Sequence, residues 1–248
     1  MTTRSRILGV IPARLASTRL PRKVLRTICG RPMLQHVYER ARSCARLDEL
    51  VIATDSDEVA EVCRRLLMPC EMTSPEHASG TDRLFEVASR RRAEIYVNIQ
   101  GDEPLIDPAH LDALLLPFDR EPLTQVATLR IAITADEAKN PNVVKVVCDR
   151  DGNALYFSRS SIPFDRDGTE PVTYFKHMGL YAYRRGALAR FHSLPPSSLE
   201  LAERLEQLRF LDNGVSIHVA ETTVGTIGVD TEDDLRAVER ILASRAAA

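Results

Sequence analysis

ILGVIPARLASTRLPRK, residues Ile7 to Lys23, is the stretch from which the rest of the chain can be read. Ile7–Pro12 is a short apolar run bounded by turn signals, the pattern of a buried strand. A polar loop, Ala13–Arg22, follows it. Pro32 then opens a helical pattern in which Leu34, Val37, Tyr38, Ala41 and Cys44 recur on one face, with arginines between them. The same alternation continues downstream. Leu50–Ala53 reads as a strand. Asp55 or Ser56 can cap a helix marked by Val59, Val62, Leu66 and Leu67. A short strand is expected near Cys70–Met72, a helix over Gly80–Arg92 and a strand over Glu94–Ile99. Strands alternating with helices imply a mostly parallel sheet with helices on both faces. In such a sheet the strand C-termini share one edge, where ligands bind. The polar loops Ala13–Arg22, Ser74–Asp82 and Gln100–Pro108 all fall on that edge.

The pattern changes after Ala127. Val143–Cys148 and Ala154–Phe157 flank Asp149–Asn153 as a hairpin, and Tyr174–Tyr183 is a long strand. Leu199–Leu211 reads as one helix, Val215–Ala220 as a strand, and Thr231 caps a last helix with Leu235, Val238, Ile241 and Leu242 on one face. The expected class is therefore α/β, with an added antiparallel region in the middle third.

The 248 residues suit one α/β domain, able to bury roughly 70–75% of its unfolded surface without a disulfide or metal staple. A hydrophobic fraction of 44% and a charged fraction of 27% are globular values, which excludes a disordered chain. The net charge of −2 provides no global field for nucleic acid. The five cysteines are odd in number and lack CxxC spacing, so reduced thiols of a cytosolic protein are expected rather than disulfides or zinc. The first apolar run is too short for a signal-peptide core, and no run reaches the length of a bilayer span.

Four segments carry candidate chemistry. IPARLASTRLPRK (Ile11–Lys23) places Arg14, Arg19 and Lys23, with the hydroxyls of Ser17 and Thr18, on a loop behind a strand. Its N–H groups and cations suit phosphate, though a solvated surface loop would read the same way. Lys23 is one of only four lysines, so it is a less casual choice than an arginine. No Walker loop is present. In VNIQGDEPLI (Val97–Ile106), Asp102 sits at a strand end, where it can hold Mg²⁺ over a phosphate or simply cap the turn before Pro104. Asp107 can cap the next helix. Asp230 in VGTIGVDTEDDL (Val224–Leu235) is by itself a helix-start residue; a metal role requires it to approach Asp102 in space. HASGTDRL (His77–Leu84) is a small-residue turn that admits a base or ribose, or is a plain helix start, with Arg83 one turn in.

Taken together, in this order and at these separations, the segments resemble the 3-deoxy-manno-octulosonate (KDO) cytidylyltransferase, or CMP-KDO synthetase, family. The likeness runs from Ile7 to about Leu242 and includes YFSRSSIPFDRD (Tyr156–Asp167), KHMGLYAYRR (Lys176–Arg185) and LAERLEQLRFLDNG (Leu201–Gly214). The resemblance implies a Rossmann-like nucleotidyltransferase fold over residues 1–248, with a sugar-binding and dimerisation subregion at about 125–215. It also implies a cytoplasmic homodimer that acts on CTP and an acidic eight-carbon sugar, with neither nucleic acid nor membrane as partner. By the same resemblance Arg14, Ser17, Thr18, Arg19 and Lys23 bind the CTP phosphates, and Ser79, Gly80 and Arg83 lie by the cytidine. Asp102 and Asp230 hold Mg²⁺, and Arg14, Lys23 and the two aspartates form the catalytic set. Gln100, Arg159, His177, Tyr181, Glu206 and Gln207 line the sugar pocket. Arg159 suits the sugar carboxylate, since a guanidinium fork matches it. Residue by residue, His177 also reads as a satisfied structural histidine, and Tyr181 and Tyr183 as core aromatics. The family usually has glycine where this chain has Arg22, and often proline where it has Val24; Arg22 either stiffens the loop or adds a phosphate contact. An 8-amino analogue of the sugar is compatible with these motifs. Two other readings fit part of the pattern: a sister transferase acting on another sugar, and a non-catalytic nucleotide-binding protein on the same scaffold.

Overall fold

The apolar run Ile7–Pro12 forms strand β1, and its first five residues are all buried. Successive side chains of a strand point to opposite faces, so an unbroken buried run means that both faces are covered. The structure, a computed structural model, describes residues 5–17, 19–77, 79–168 and 172–246. The chain divides into two compact units, Met1–Leu111 with Thr226–Ala248, and Asp112–Gly225.

In the first unit β1 is followed by a single 3₁₀ turn, Lys23–Leu25, and a short antiparallel pair, β2 (Thr27–Ile28) and β3 (Arg31–Pro32), neither of which the hydrophobic pattern announced. Then come α1 (Met33–Arg42), β4 (Glu49–Thr54), α2 (Asp57–Arg65), β5 (Cys70–Met72), α3 (Gly80–Arg90) and β6 (Ile95–Asn98), and then α4 (Pro108–Arg120), whose residues from Asp112 onward belong to the second unit. The strands lie in the order β6-β1-β4-β5, all parallel, with Val10 opposite Val51 on one side and Asn98 on the other. Ser56 caps α2 through Val59 N at 3.4 Å, Ser79 caps α3 through Asp82 N at 3.1 Å, and Asp107 accepts from Ala109 N at 3.0 Å at the start of α4.

Two helical expectations are corrected here. Cys44 is buried but lies beyond the end of α1. Leu66 and Leu67, read as part of the α2 face, lie past its end, and Leu67 is 88% exposed. The chain must reverse to reach β5. It does so with Leu67 in the left-handed region at φ 55°, Met68 N bonding Cys63 O at 2.9 Å and Leu67 N bonding Arg64 O at 3.3 Å. That is the Schellman ending, with leucine in the place glycine usually takes.

The second unit contains β7 (Val126–Ile133), α5 (Ala135–Ala138), β8 (Lys145–Cys148), β9 (Ala154–Ser158), β10 (Tyr174–Arg184), α6 (Arg185–Ser193), α7 (Ser198–Glu203), α8 (Leu208–Asp212) and β11 (Ile217–Glu221). β10 runs antiparallel to β7 and β8, β8 antiparallel to β9, and β11 parallel to β7. The hairpin of β8 and β9 turns as expected, with Asp149 accepting from the backbone N–H of Asp151 and Asn153. The single helix expected over Leu199–Leu211 is instead α7 and α8, because Arg204 adopts φ 56° and ends the first.

The last helix, α9 (Glu232–Ala246), belongs to the first unit, and Thr231 caps it by accepting from Asp234 N at 3.2 Å. None of the five cysteines forms a disulfide. No helix among the described residues is long and apolar enough to cross a membrane.

Candidate active site

Because β1, β5 and β6 are parallel, the loops that leave their C-terminal ends gather on one edge of the first unit's sheet. Apolar residues from three sequence-distant motifs then pin those loops together. Leu20 of STRLP, Leu105 of DEPL and Val229 of GVDT are buried in one cluster with Ile28, Met33, Leu235 and Val238. Val229 N donates to Asp102 O at 2.9 Å, so the Asp102 and Asp230 loops are joined through the backbone. Gly101 is required where the loops cross, since a Cβ there would lie 2.8 Å from Pro12 O.

The result is a cavity of ≈ 620 Å³ lined by Arg14, Ser17, Arg19, Lys23, Ser79, Gly80, Arg83, Gln100, Asp102 and Asp230, among others. Every residue assigned from sequence to the phosphates, the cytidine or the metal reaches it except Thr18, which lies outside the described residues. Gln100, assigned to the sugar, lines it as well. His77, Val24 and Gly101, to which the sequence alone assigned no role in the site, also form its wall. His77 was visible in HASG but carried no spacing signal; its partner is Glu86, at 2.5 Å, on the next helix.

At its acidic end, Lys23 Nζ lies 2.5 Å from Asp102 Oδ2 and 3.0 Å from Asp230 Oδ1. The other Asp230 oxygen pairs with Arg19 at 3.0 Å. Burial alone would push the Lys23 ammonium down, but the Asp102 and Asp230 carboxylates together outweigh it and hold its pKa above the ordinary value. Asp234 fixes the approach of the Asp230 loop by accepting from Asp230 N at 3.1 Å and Thr231 N at 2.9 Å. Although burial raises the Asp234 pKa, these bonds and the Thr231 hydroxyl leave it lowered.

Some assigned side chains are already engaged by the protein. Arg83 is buried and donates to Asp55 at 2.8 Å and to Thr73. Ser79 spends its hydroxyl on Asp82. Arg22, at φ 58°, holds the conformation that favours glycine, and its guanidinium pairs with Glu58 on α2. Both turn residues Arg22 and Lys23 thus have carboxylate partners, and only the lysine's lie in the cavity.

The second unit has a different character. His177 and Tyr181 lie with ring centroids 5.3 Å apart beside a bulge in the β10–β7 ladder. The His177 ring nitrogen Nε2 contacts the Thr128 hydroxyl at 3.0 Å, and burial followed by Lys176 pushes the imidazole down to about 3. Burial, then Tyr183 and Glu206, push the Tyr181 hydroxyl well above its usual range. Among the described residues, the Tyr181 hydroxyl and the Gln207 side-chain nitrogen are buried without a hydrogen-bond partner. Native proteins rarely leave such atoms unsatisfied unless another group completes them. Arg159 gives Nε to Glu203 O at 2.7 Å and a terminal nitrogen to Pro141 O at 3.1 Å.

The cytidylyltransferase family profile matches residues 8–217. A 3-deoxy-manno-octulosonate cytidylyltransferase of Acidobacterium capsulatum is 59% identical over 239 residues, 96% of this chain and 97% of that protein. One of Geobacter sulfurreducens is 51% identical over 94% of this chain and 97% of its own length. Among solved structures, that of a CMP:2-keto-3-deoxy-manno-octonic acid synthetase complexed with CTP superimposes with a TM-score of 0.94 at 46% identity, over 97% of this chain and all of that one. A cytidylyltransferase from Leptospira borgpetersenii shares the fold at 14% identity, with a TM-score of 0.66, over 97% of this chain and 87% of that one.

Proposed function

This chain belongs to the 3-deoxy-manno-octulosonate cytidylyltransferase family, and on that premise we propose that its Arg14–Lys23 loop takes the CTP phosphates while Asp102 and Asp230 take Mg²⁺. The enzyme is a nucleotidyltransferase. It transfers CMP from CTP to the anomeric hydroxyl of KDO, giving CMP-KDO and pyrophosphate, for lipopolysaccharide biosynthesis. The observation that carries the assignment of roles is the position of Lys23 Nζ, within hydrogen-bond reach of both carboxylates and at the wall of the cavity.

A CTP-using transferase calls for a divalent metal. The donor set here suits Mg²⁺, which takes one or two carboxylates and completes its shell with phosphate oxygens and water. Among the described residues no group of three or more His, Cys, Asp or Glu gathers into a protein cage of the kind zinc or calcium favours. Bound between Asp102 and Asp230, the ion would polarise the α-phosphate and acidify the sugar hydroxyl.

The remaining work falls to the chain itself. Arg14, Arg19 and Ser17 orient the phosphate tail, so that the α-phosphorus is presented in line with the attacking hydroxyl. The hydroxyl bonds to phosphorus as the bond to the bridging oxygen breaks. Lys23 and Arg14 neutralise the charge that collects on the departing pyrophosphate. Ser79, Gly80 and Arg83 border the cytidine, the last as a wall whose guanidinium is held by Asp55. Gln100, Arg159, His177, Tyr181, Glu206 and Gln207 receive the sugar, with the unpartnered Tyr181 and Gln207 atoms meeting its hydroxyls. In this reading the subregion at about 125–215 also joins two copies in a cytoplasmic homodimer.

The test is pyrophosphate release from CTP, Mg²⁺ and KDO, omitting one component at a time and offering the 8-amino sugar and a sialic acid in parallel. Release is expected only with all three components. Equal release without sugar, or without any divalent ion, would overturn the assignment.

A further inference from the structure

Two carboxylates brought together by folding repel each other unless a cation lies between them. In this chain that cation is part of the protein. The Lys23 ammonium reaches Asp102 at 2.5 Å and Asp230 at 3.0 Å, from loops 79 and 207 positions away in sequence. Both carboxylate carriers are pinned: Asp102 through its carbonyl to Val229 N, and Asp230 through Arg19 on its other oxygen and through Asp234 on its backbone. Lys23 is the partner that can leave. It is a point charge on a flexible four-carbon stem, its side chain is 14% exposed, and it borders the cavity.

We propose that Lys23 is the resident cation of the Asp102–Asp230 pair and gives up that place to a divalent ion only when nucleotide phosphates offer its ammonium another partner. This rests on the reading of Asp102 and Asp230 as the metal carboxylates. The ammonium and the ion compete for the same oxygens, so metal alone must first break two charge-assisted hydrogen bonds. An anionic phosphate tail restores those bonds at a new position. Metal and nucleotide therefore bind with positive coupling, which linkage makes reciprocal. Lys23 acquires a second role beyond contacting phosphate: it suppresses metal loading of the nucleotide-free enzyme and keeps the two aspartates in register.

The test uses Mn²⁺ alone, followed by electron paramagnetic resonance, with no nucleotide present. Lys23→Met should bind Mn²⁺ at least about tenfold more tightly than the parent, the scale of one such bond no longer broken. Lys23→Arg should stay as weak as the parent, because it keeps a competing cation. Arg14→Met removes a charge from the same cavity and should change affinity by less than about threefold, the scale of screened through-space attraction. Mn²⁺ should also raise the melting temperature of Lys23→Met more than that of the parent. Binding by Lys23→Met that is no tighter than the parent's overturns the handover. Asp102→Asn separates the two claims. If Asp102→Asn abolishes Mn²⁺ binding in both backgrounds while Lys23→Met alone binds no more tightly than the parent, the metal site stands and the handover falls; if Lys23→Met alone binds more tightly, both claims stand. If Mn²⁺ binding by Lys23→Met survives Asp102→Asn, the metal assignment itself falls.

Discussion

Each unit of this protein draws one lysine ammonium out of solvent, Lys23 in part and Lys145 completely, and the two are treated in opposite ways. Lys23, in the first unit, is held by two carboxylates. Lys145, in the second, is fully buried, and its ammonium donates to the carbonyls of Asn140 at 3.0 Å, Val143 at 2.5 Å and Arg159 at 2.6 Å. Carbonyls are neutral and fixed in the backbone, so Lys145 is a permanent brace that ties the turn at residues 140–143 to the segment that carries Arg159. Carboxylates are anions that a metal can claim, which is what the proposed exchange of the Lys23 contacts requires. The charges follow: the Asp102 and Asp230 pair outweighs burial and raises the Lys23 pKa, whereas burial, then Arg159, lower that of Lys145. Two lysines drawn out of solvent are thus held by different chemistry, carboxylates in the proposed active site and backbone carbonyls in the second unit.

The strongest way to break this comparison is catalytic. Lys23→Met and Asp102→Asn should each lower kcat/KM for CTP by about 10²- to 10³-fold with circular dichroism unchanged, the scale of removing one preorganised electrostatic partner. Near-parental turnover in either would remove that residue from the chemistry. Lys145→Met should fail differently. It strands three buried carbonyls and should cost about 3 kcal/mol, or roughly 6–12 °C in melting temperature for a chain of this size. A Lys145→Met protein as stable as the parent would show that the brace is dispensable.

Alkaline pH sharpens the contrast, because the two lysines act with opposite sign. Both titrate from 10.5 when unfolded. Lys23 is raised in the fold, so its contribution is complete below 10.5 and is lost as pH climbs through the higher folded value. Lys145 is lowered, so between its folded value and 10.5 the unfolded chain binds more protons and stability rises with pH. Denaturant titrations between about pH 8 and 11 should show the parent gaining on Lys145→Met towards 10.5 and losing its advantage over Lys23→Met above it. Parallel curves for both variants would contradict the assigned directions. The smallest effect is expected at Arg22→Gly, where relief of a left-handed residue is offset by added unfolded-state entropy and loss of an exposed ion pair. Stability should move by less than about 1 kcal/mol and turnover should persist. A large loss of turnover would show that the Arg22–Glu58 pair positions Lys23.

Elements with a clean hydrophobic period were legible from sequence. β1, α1 and the alternation through β6 follow from apolar spacing, and Ser56 and Thr231 serve as the caps their side chains permit. Three of the misses share a cause: a non-glycine residue held in the left-handed region leaves no mark in composition. Arg204 splits the helix expected over Leu199–Leu211, Leu67 closes α2, and Arg22 sets the turn before Lys23. The carbonyl cage of Lys145 was equally invisible, since a lone lysine in VVKVV reads as the polar face of a strand.

Local sequence thus determined the parallel sheet of the first unit, the edge on which its loops emerge and the residue types those loops carry, because hydrophobic period and turn chemistry act over a few neighbouring residues. Only the tertiary structure decided that Asp102 and Asp230 share one ammonium. That meeting depends on Leu20, Leu105 and Val229 entering a common apolar cluster and on Gly101 letting two backbones cross. Burial of apolar surface is non-directional and sums over distant segments, so no window of sequence contains it.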